Sequence, residues 1–483
     1  MNRIIVNKKI IWHALPVIAF VVWDALCLTN NLWYDEAYSA AMVALPWSRL
    51  LYITAVDAHS PFYYGCLKLV YLLCGSGPHY QGLKLMSLFF MMGYLMLGKY
   101  YIRKLFDQKI SVYFMLFSLL MPIMSVQAGN VRMYAFALFF MTLTGCLAYD
   151  IYKDATKKKW ILFCLASICT MYCHTFALIH TFWLYMLFLI VLIRSGQKEK
   201  VKKLIICGIV VSVAFAPWLV VTGMQMVLRM RYDTGSVSDR ATILSFMDYC
   251  KEWFSALETP IGWVVFLGMG IAVVLGYLAV DRMRETKNYA PAVGMGALGL
   301  TILTGVLVST YMNNCFLGRY VFPGFGFLML FYAFGMRQLE GKKLWWGVLA
   351  AAVVCFVLQY QSEWKLEYDK GLDNYERFYE EQVSTEDVFV VPTIHPLLLD
   401  IYHPEMPYYI YLYKPYKTPF ANTEALTDYN QLAGVQGNIW YLCFAGDTPE
   451  AMSDAFSYEE VKSFHYMYYD YVIYRLSWKG TEG

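Results

Sequence analysis

The chain has 483 residues, of which 59% are hydrophobic and only 16% charged, with 18% aromatics and 26 Met. That balance excludes a soluble globular protein and marks a membrane protein. A net charge of +3 selects no nucleic-acid partner, so the position of the charges carries the information.

Apolar stretches recur at 11–30, 83–102, 110–127, 133–152, 160–177, 178–193, 204–222, 260–280, 290–312, 319–336 and 344–361. Each approaches the ~20 residues that a helix needs to cross a hydrocarbon core. Basic clusters lie at Arg3/Lys8/Lys9, Arg103/Lys104/Lys109, Lys153/Lys157/Lys158/Lys159, Arg194/Lys198/Lys200/Lys202/Lys203, Arg282/Arg284/Lys287 and Arg337/Lys342/Lys343. They occupy every second gap, as positive-inside orientation requires. The expectation is a polytopic α-helical membrane protein with about eleven spans, its N-terminus cytoplasmic and its C-terminal region outside. No cleavage site follows the first apolar run, so it reads as a retained span.

Between the first and second spans, an external loop over 31–82 carries an acidic pair, Asp35-Glu36, and the cluster Asp57-Ala58-His59-Ser60-Pro61. Carboxylates beside a bilayer are costly unless they have a function. The run 61–75 is short and interrupted by Lys68. Counting it as a span would put Arg103/Lys104 outside, so 37–54 and 61–75 are expected as amphipathic helices on the outer surface.

The topology brings three further turns to the outer face: 127–132 with Arg132 followed by Tyr134, 172–176 with His174, and 313–320 with Arg319 and Tyr320. Each of these residues also has a structural reading. An arginine at a helix end can snorkel to headgroups, and a lone histidine can cap a helix. Asp35 can act as an N-cap, and Glu36 can favour a helix N-terminus by its charge. Structural roles explain less well why acidic and basic groups gather at one face. Arginines beside a lipid interior suit a lipid-linked phosphate, and a carboxylate suits removal of a proton from an attacking hydroxyl.

After residue 361 the chain turns polar, with charge runs, prolines and tyrosines. Strands are expected at 387–391, 408–413, 438–444 and 468–475, with helical segments near 394–402 and 448–457. Two domains follow: a membrane domain over 1–361, including the external loop, and a small extracytoplasmic α/β domain over 362–483. Twelve cysteines are scattered, mostly in spans, and no CxxC or HExxH spacing marks a metal site.

In this order, the residues resemble the GT-C fold membrane glycosyltransferases, nearest the protein O-mannosyltransferases and the lipid A aminoarabinose transferases. The resemblance rests on five elements: Asp35-Glu36 after the first span, Asp57-Ala58-His59-Ser60-Pro61-Phe62-Tyr63-Tyr64, Ser125 through Arg132-Met133-Tyr134-Ala135, Tyr172-Cys173-His174-Thr175-Phe176, and Arg319-Tyr320-Val321-Phe322-Pro323. It covers roughly residues 1–340. Ser60 stands where the first proline of a pair is usual, which bears on the turn geometry and not on the chemistry.

The resemblance implies transfer of a sugar from a polyprenyl-phosphate donor to a glycan, lipid or protein acceptor at the outer face, with inversion. Asp35 would be the general base, Glu36 and Asp57 would shape the pocket, and His59 would support it by hydrogen bonding. Arg132 and Arg319 would hold the donor phosphate, with Tyr134, His174 and Tyr320 as further candidates. No cofactor is required by the sequence, although a carboxylate pair can hold a divalent cation.

Three other readings stand beside it. A transporter or flippase for polyprenyl-linked lipids would place its charges near the bilayer midplane. A polysaccharide polymerase or ligase would use arginines in a later external loop, such as Arg229, Arg231 and Arg240 within 223–258. A scaffold without enzymatic function would have no use for the cluster.

Overall fold

The computed structural model describes residues 8–57, 59–74, 80–232, 251, 253–254, 262–311, 316–411, 419–420 and 422–479. Ala58, Asn313, Asn314, Cys315, Arg240 and the side chains of Arg229 and Arg231 lie outside the described residues. The chain divides into two compact units. One contains 1–28, 54–63 and 84–362, and the other contains 29–53, 64–83 and 363–483.

The first unit is helical. Helices stand at all eleven expected positions, but they are unequal. Seven of the described helices are long and apolar enough to cross a membrane: Gln81–Leu105, Tyr134–Lys153, Thr175–Arg194, Lys198–Gln225, Trp263–Thr286, Ala290–Tyr311 and Lys343–Glu367. An eighth span is broken, with Gln108–Leu120 and Pro122–Gly129 meeting at 73°. The break has a local cause. Met121 precedes a proline and is extended, at φ −79° and ψ 117°, because the proline ring disfavours helical backbone in the residue before it.

Three of the eleven are shorter. The first helix, Lys8–Leu26, has 19 residues, and among the residues whose side chains are described its apolar run is Ala14–Trp23. Lys157–Met171 has 15 residues and Phe325–Gln338 has 14. The count of eleven is therefore not established by length alone, while a multi-pass membrane protein is.

Packing within this unit pairs Gly262–Thr286 with Phe325–Gln338, Thr175–Arg194 with Ala290–Tyr311, and Tyr134–Lys153 with Lys157–Met171. Its core includes Phe114, Met115, Phe322, Phe325 and Met329, none of them exposed. At the basic ends, carboxylates from the spans gather the lysines. Asp150 meets Lys104 at 3.3 Å and Lys159 at 3.1 Å, and Glu340 meets Lys109 at 2.5 Å and Arg337.

The segment expected to form an external loop contains three short helices, Tyr34–Ala44, Trp47–Val56 and Pro61–Cys74. Lys68, which interrupts the apolar run, is buried within the second unit. Its Nζ donates to the carbonyls of Val43 at 2.7 Å and Leu45 at 2.8 Å. It thereby satisfies acceptors that the end of Tyr34–Ala44 leaves open.

The second unit also carries a six-stranded sheet in the order β3-β2-β1-β4-β6-β5. The strands are β1 Val388–Val391, β2 Tyr408–Ile410, β3 Thr423–Ala425, β4 Ile439–Phe444, β5 Phe456–Tyr466 and β6 Tyr469–Trp478. The first four are parallel neighbours, while β4, β6 and β5 are antiparallel. Val390, Tyr441, Cys443 and Phe456 fill one side. On the other, Phe378 of the helix Gly371–Gln382 stands edge-on to Trp440 at 5.2 Å.

Three elements here were not expected. Gly371–Gln382, β3 and β5 carried no assignment, and the segment expected as a helix at 448–457 is a 3-10 turn, Pro449–Met452, leading into β5. The segment near 394–402 is helical as a 3-10 turn, Pro396–Tyr402. Pro396 and Pro449 each open such a turn, where their missing N–H costs nothing.

Candidate functional site

Within the first unit, two turns and two helix starts converge. The bend at Met121 and the short helix Pro122–Gly129 deliver Arg132 into the turn immediately before Tyr134–Lys153, with Tyr134 as that helix's first residue. Arg132 is 6% exposed and Tyr134 1%. The turn is pinned by the backbone N–H of Arg132 donating to Asn130 O at 2.8 Å.

His174 occupies the equivalent position in the turn before Thr175–Arg194. It is the N-cap of Thr175–Arg194, and its Nδ1 accepts from the Phe176 N–H at 3.1 Å. Accepting at Nδ1 places the proton of a neutral ring on Nε2. Burial pushes the imidazole down to about 3, and Arg132, His59 and Arg319 act in the same direction. Three cationic or potentially cationic groups therefore surround one neutral ring.

Arg319 and Tyr320 arrive on the 3-10 segment Gly318–Gly324, held by Trp253 Nε1 donating to Gly318 O at 2.9 Å. The Tyr320 ring lies 5.1 Å from that of His174, and the Tyr134 ring lies 5.9 Å from it on another side. Phe176 completes the packing at 5.5 Å from Tyr320. The guanidinium of Arg319 stands 6.0 Å from its neighbour's ring centroid.

Asp57 and His59 form a pair, with Asp57 Oδ2 2.8 Å from His59 Nδ1. Both are mostly shielded. The serine that replaces the usual proline has a use, since the Ser60 hydroxyl donates to the carbonyl of Tyr172. That bond ties the Asp57–His59 turn to the His174 turn. Asp57, His59, Arg132, Tyr134, His174, Arg319 and Tyr320 are thus brought together in one unit.

Asp35 and Glu36 belong to the second unit, at the second and third positions of Tyr34–Ala44. Trp33, not Asp35, is the N-cap. Glu36 is 1% exposed, and its Oε2 accepts from the Trp33 N–H at 3.2 Å, so it has the capping role weighed for it. Sequence reasoning missed His395, which packs on Tyr34 at 4.5 Å between ring centroids and feels the Asp35 charge. With 360 residues between them, no local spacing could have flagged it.

Two guanidiniums at the starts of buried helices can bind a phosphate, since both the arginine forks and the helix N-termini favour anions. Among the described residues, no group of three or more His, Cys, Asp or Glu side chains is placed to hold a metal ion.

No family model matches the sequence, and no curated protein matches it. Solved structures do. ArnT from Cupriavidus metallidurans in the apo state superposes with a TM-score of 0.66 at 12% identity, covering 97% of this chain and 98% of that one. The same protein bound to undecaprenyl phosphate gives 0.64 at 12% identity, covering 96% and 97%. The oligosaccharyltransferase of Archaeoglobus fulgidus gives 0.48 at 12% identity, covering 93% of this chain and 73% of that one. The match to ArnT spans nearly the whole of both chains, so the protein has the GT-C fold.

Proposed function

We propose that the protein is a glycosyltransferase that moves a sugar from a polyprenyl-phosphate donor to an acceptor hydroxyl or amine at the outer face of the membrane. The observation that carries this reading is the pair Arg132 and Arg319 beside a neutral His174, in a fold shared with a protein solved with undecaprenyl phosphate bound. The acceptor is a glycan, lipid or protein group.

In this reading the acceptor oxygen or nitrogen attacks the anomeric carbon while Asp35 takes its proton. The bond from that carbon to the phosphate oxygen breaks on the opposite face, so the configuration inverts. The electron pair leaves on polyprenyl phosphate, an already acidic group that needs electrostatic stabilisation and no protonation. Arg132 and Arg319 supply that stabilisation. Tyr134, Tyr320 and the Nε2–H of His174 add donors, while Asp57 orients His59 toward the sugar. Glu36 fixes the helix start that carries Asp35. A divalent cation at the carboxylate pair is compatible with this scheme but is not required by it.

The division into a transferase region over 1–361 and an extracytoplasmic domain over 362–483, with a cytoplasmic N-terminus, belongs to the same proposal.

The test is donor consumption by the purified protein against a panel of polyprenyl-phosphate sugars. Loss of a general base costs about 10²–10⁴-fold, so Asp35→Asn should reduce turnover at least that far while the protein remains folded. Arg132→Ala should lower kcat/KM by about 10–100-fold, the worth of a charged hydrogen bond, chiefly through KM for the donor. A folded Asp35→Asn protein with near-normal turnover would remove the assignment of the base.

A further inference from the structure

At the ends of the helices opposite to His174 and Tyr134, the first unit contains a cavity of about 530 Å³. It is bounded by Tyr134–Lys153, Thr175–Arg194, Ala290–Tyr311 and Phe325–Gln338, and its walls are apolar, with Leu184, Phe188, Phe327 and Leu330 among them. Along the first of these helices it runs from Thr142 to Tyr152, a depth of about 15 Å at 1.5 Å per residue. It is a separate space from the cluster described above, sharing none of that cluster's residues.

The mouth differs in kind. Arg194 and Lys287 line it and are exposed. Among the described residues, no carboxylate lies within ion-pair distance of either. The nearby acids are committed elsewhere: Asp150 to Lys104 and Lys159, Glu340 to Lys109, Glu199 to Lys202, and Asp281 and Glu285 to Gln338. Two cations without counter-ions thus stand over an apolar slot that begins at a basic, membrane-interfacial helix end.

We propose that this cavity binds one acyl chain of an anionic glycerophospholipid, whose phosphate is held at the mouth by Arg194 and Lys287. Charge complementarity selects the headgroup, since a guanidinium and an ammonium pair with phosphate oxygens. The apolar walls select a hydrocarbon chain over a free phosphate, which would leave them facing water. The volume suits one long acyl chain and is small for a long polyprenyl chain. Basic pockets between spans at this interface are a recurring means of holding anionic lipids. The inference uses none of the residues proposed for catalysis, so the two stand or fall separately.

The experiment is native mass spectrometry of the delipidated full chain in detergent, titrated with phosphatidylglycerol, phosphatidylcholine and undecaprenyl phosphate. The wild type should retain one phosphatidylglycerol at least about tenfold more tightly than phosphatidylcholine, the worth of one charged hydrogen bond. Arg194→Gln with Lys287→Gln should abolish that preference. Val293→Trp, which fills the slot, should remove retention of both lipids, with Leu184→Phe as the second variant should the first fail to fold. Equal retention of the two phospholipids by the wild type would overturn the proposal. So would a preference that survives the double substitution, or displacement of phosphatidylglycerol by undecaprenyl phosphate.

Discussion

His174 shows how one residue's structural and functional roles coincide. As an N-cap it must offer an acceptor, which it does through Nδ1, and that bond leaves the proton of the neutral ring on Nε2. Its pKa of about 3, against an ordinary 6.5, keeps the ring neutral at every pH at which the protein is expected to work. The pH profile of transfer should therefore contain no limb from His174 above pH 4.5. His174→Asn retains a good cap and should keep the wild-type profile shape at reduced turnover. His174→Ala should in addition lose about 1 kcal/mol of stability with the cap. A profile whose acid limb near pH 6.5 vanishes in His174→Asn would show that the histidine titrates and that this account is wrong.

At the scale of elements, close helix packing sets the geometry that these residues inherit. A Cβ at Gly335, in Phe325–Gln338, would lie 2.2 Å from the carbonyl oxygen of Leu275 in Gly262–Thr286. Backbone meets backbone there, so no side chain can swing aside, and small residues at such crossings are how membrane helices approach one another. Gly335→Ala should destabilise the detergent-solubilised protein by about 1–3 kcal/mol, the usual cost of overpacking. Gly347→Ala faces open space and should instead be neutral or gain up to about 1 kcal/mol from helix propensity. Thermal midpoints of the two variants check this, and equal shifts would contradict it.

The elements that the sequence made legible are those whose signal is local. Hydropathy placed a helix at each expected span, and Pro61–Cys74 is one of the shorter apolar helices, although the use of Lys68 as a cap for carbonyls at the end of Tyr34–Ala44 depends on folding. The missed elements have weak or misleading local signals. β5 reads Phe-Ser-Tyr-Glu-Glu-Val-Lys-Ser-Phe-His-Tyr and is largely exposed, as an edge strand with one open side must be. β3 has only three residues. Gly371–Gln382 did carry a signal, since Leu372, Tyr375 and Phe378 recur every three residues and are buried. In the site, motif order gathered the residues of the first unit, whereas His395 beside Asp35 is visible only in three dimensions.

Across the whole molecule, two buried groups set opposing dependences of stability on pH. Asp400, in the second unit, is 2% exposed, and its Oδ1 has no hydrogen-bond partner among the described residues. Burial pushes its carboxyl from 3.8 up to about 8, and Glu405 adds to the effect. The folded state then holds a proton that the unfolded state releases, so stability is full below about pH 4 and is lost as pH rises toward 8. His174 has the reverse sign. Its folded pKa is depressed, so the unfolded state binds the extra proton, and stability is lost as pH falls from 6.5 toward 3. Between pH 4 and 6.5 the two oppose each other, whereas from 6.5 to 8 Asp400 acts alone. A tenfold change in such an equilibrium is worth about 1.4 kcal/mol, so the loss from pH 6.5 to 8 should be about 2 kcal/mol and readily seen in thermal midpoints. Asp400→Asn should remove the fall between pH 6.5 and 8 and leave a net rise in stability from pH 4 to 6.5, while His174→Asn should leave a continuous fall from pH 4 to 8. Parallel curves for wild type and Asp400→Asn across pH 5–8 would show that the buried carboxyl does not hold its proton, and would require a partner for Oδ1.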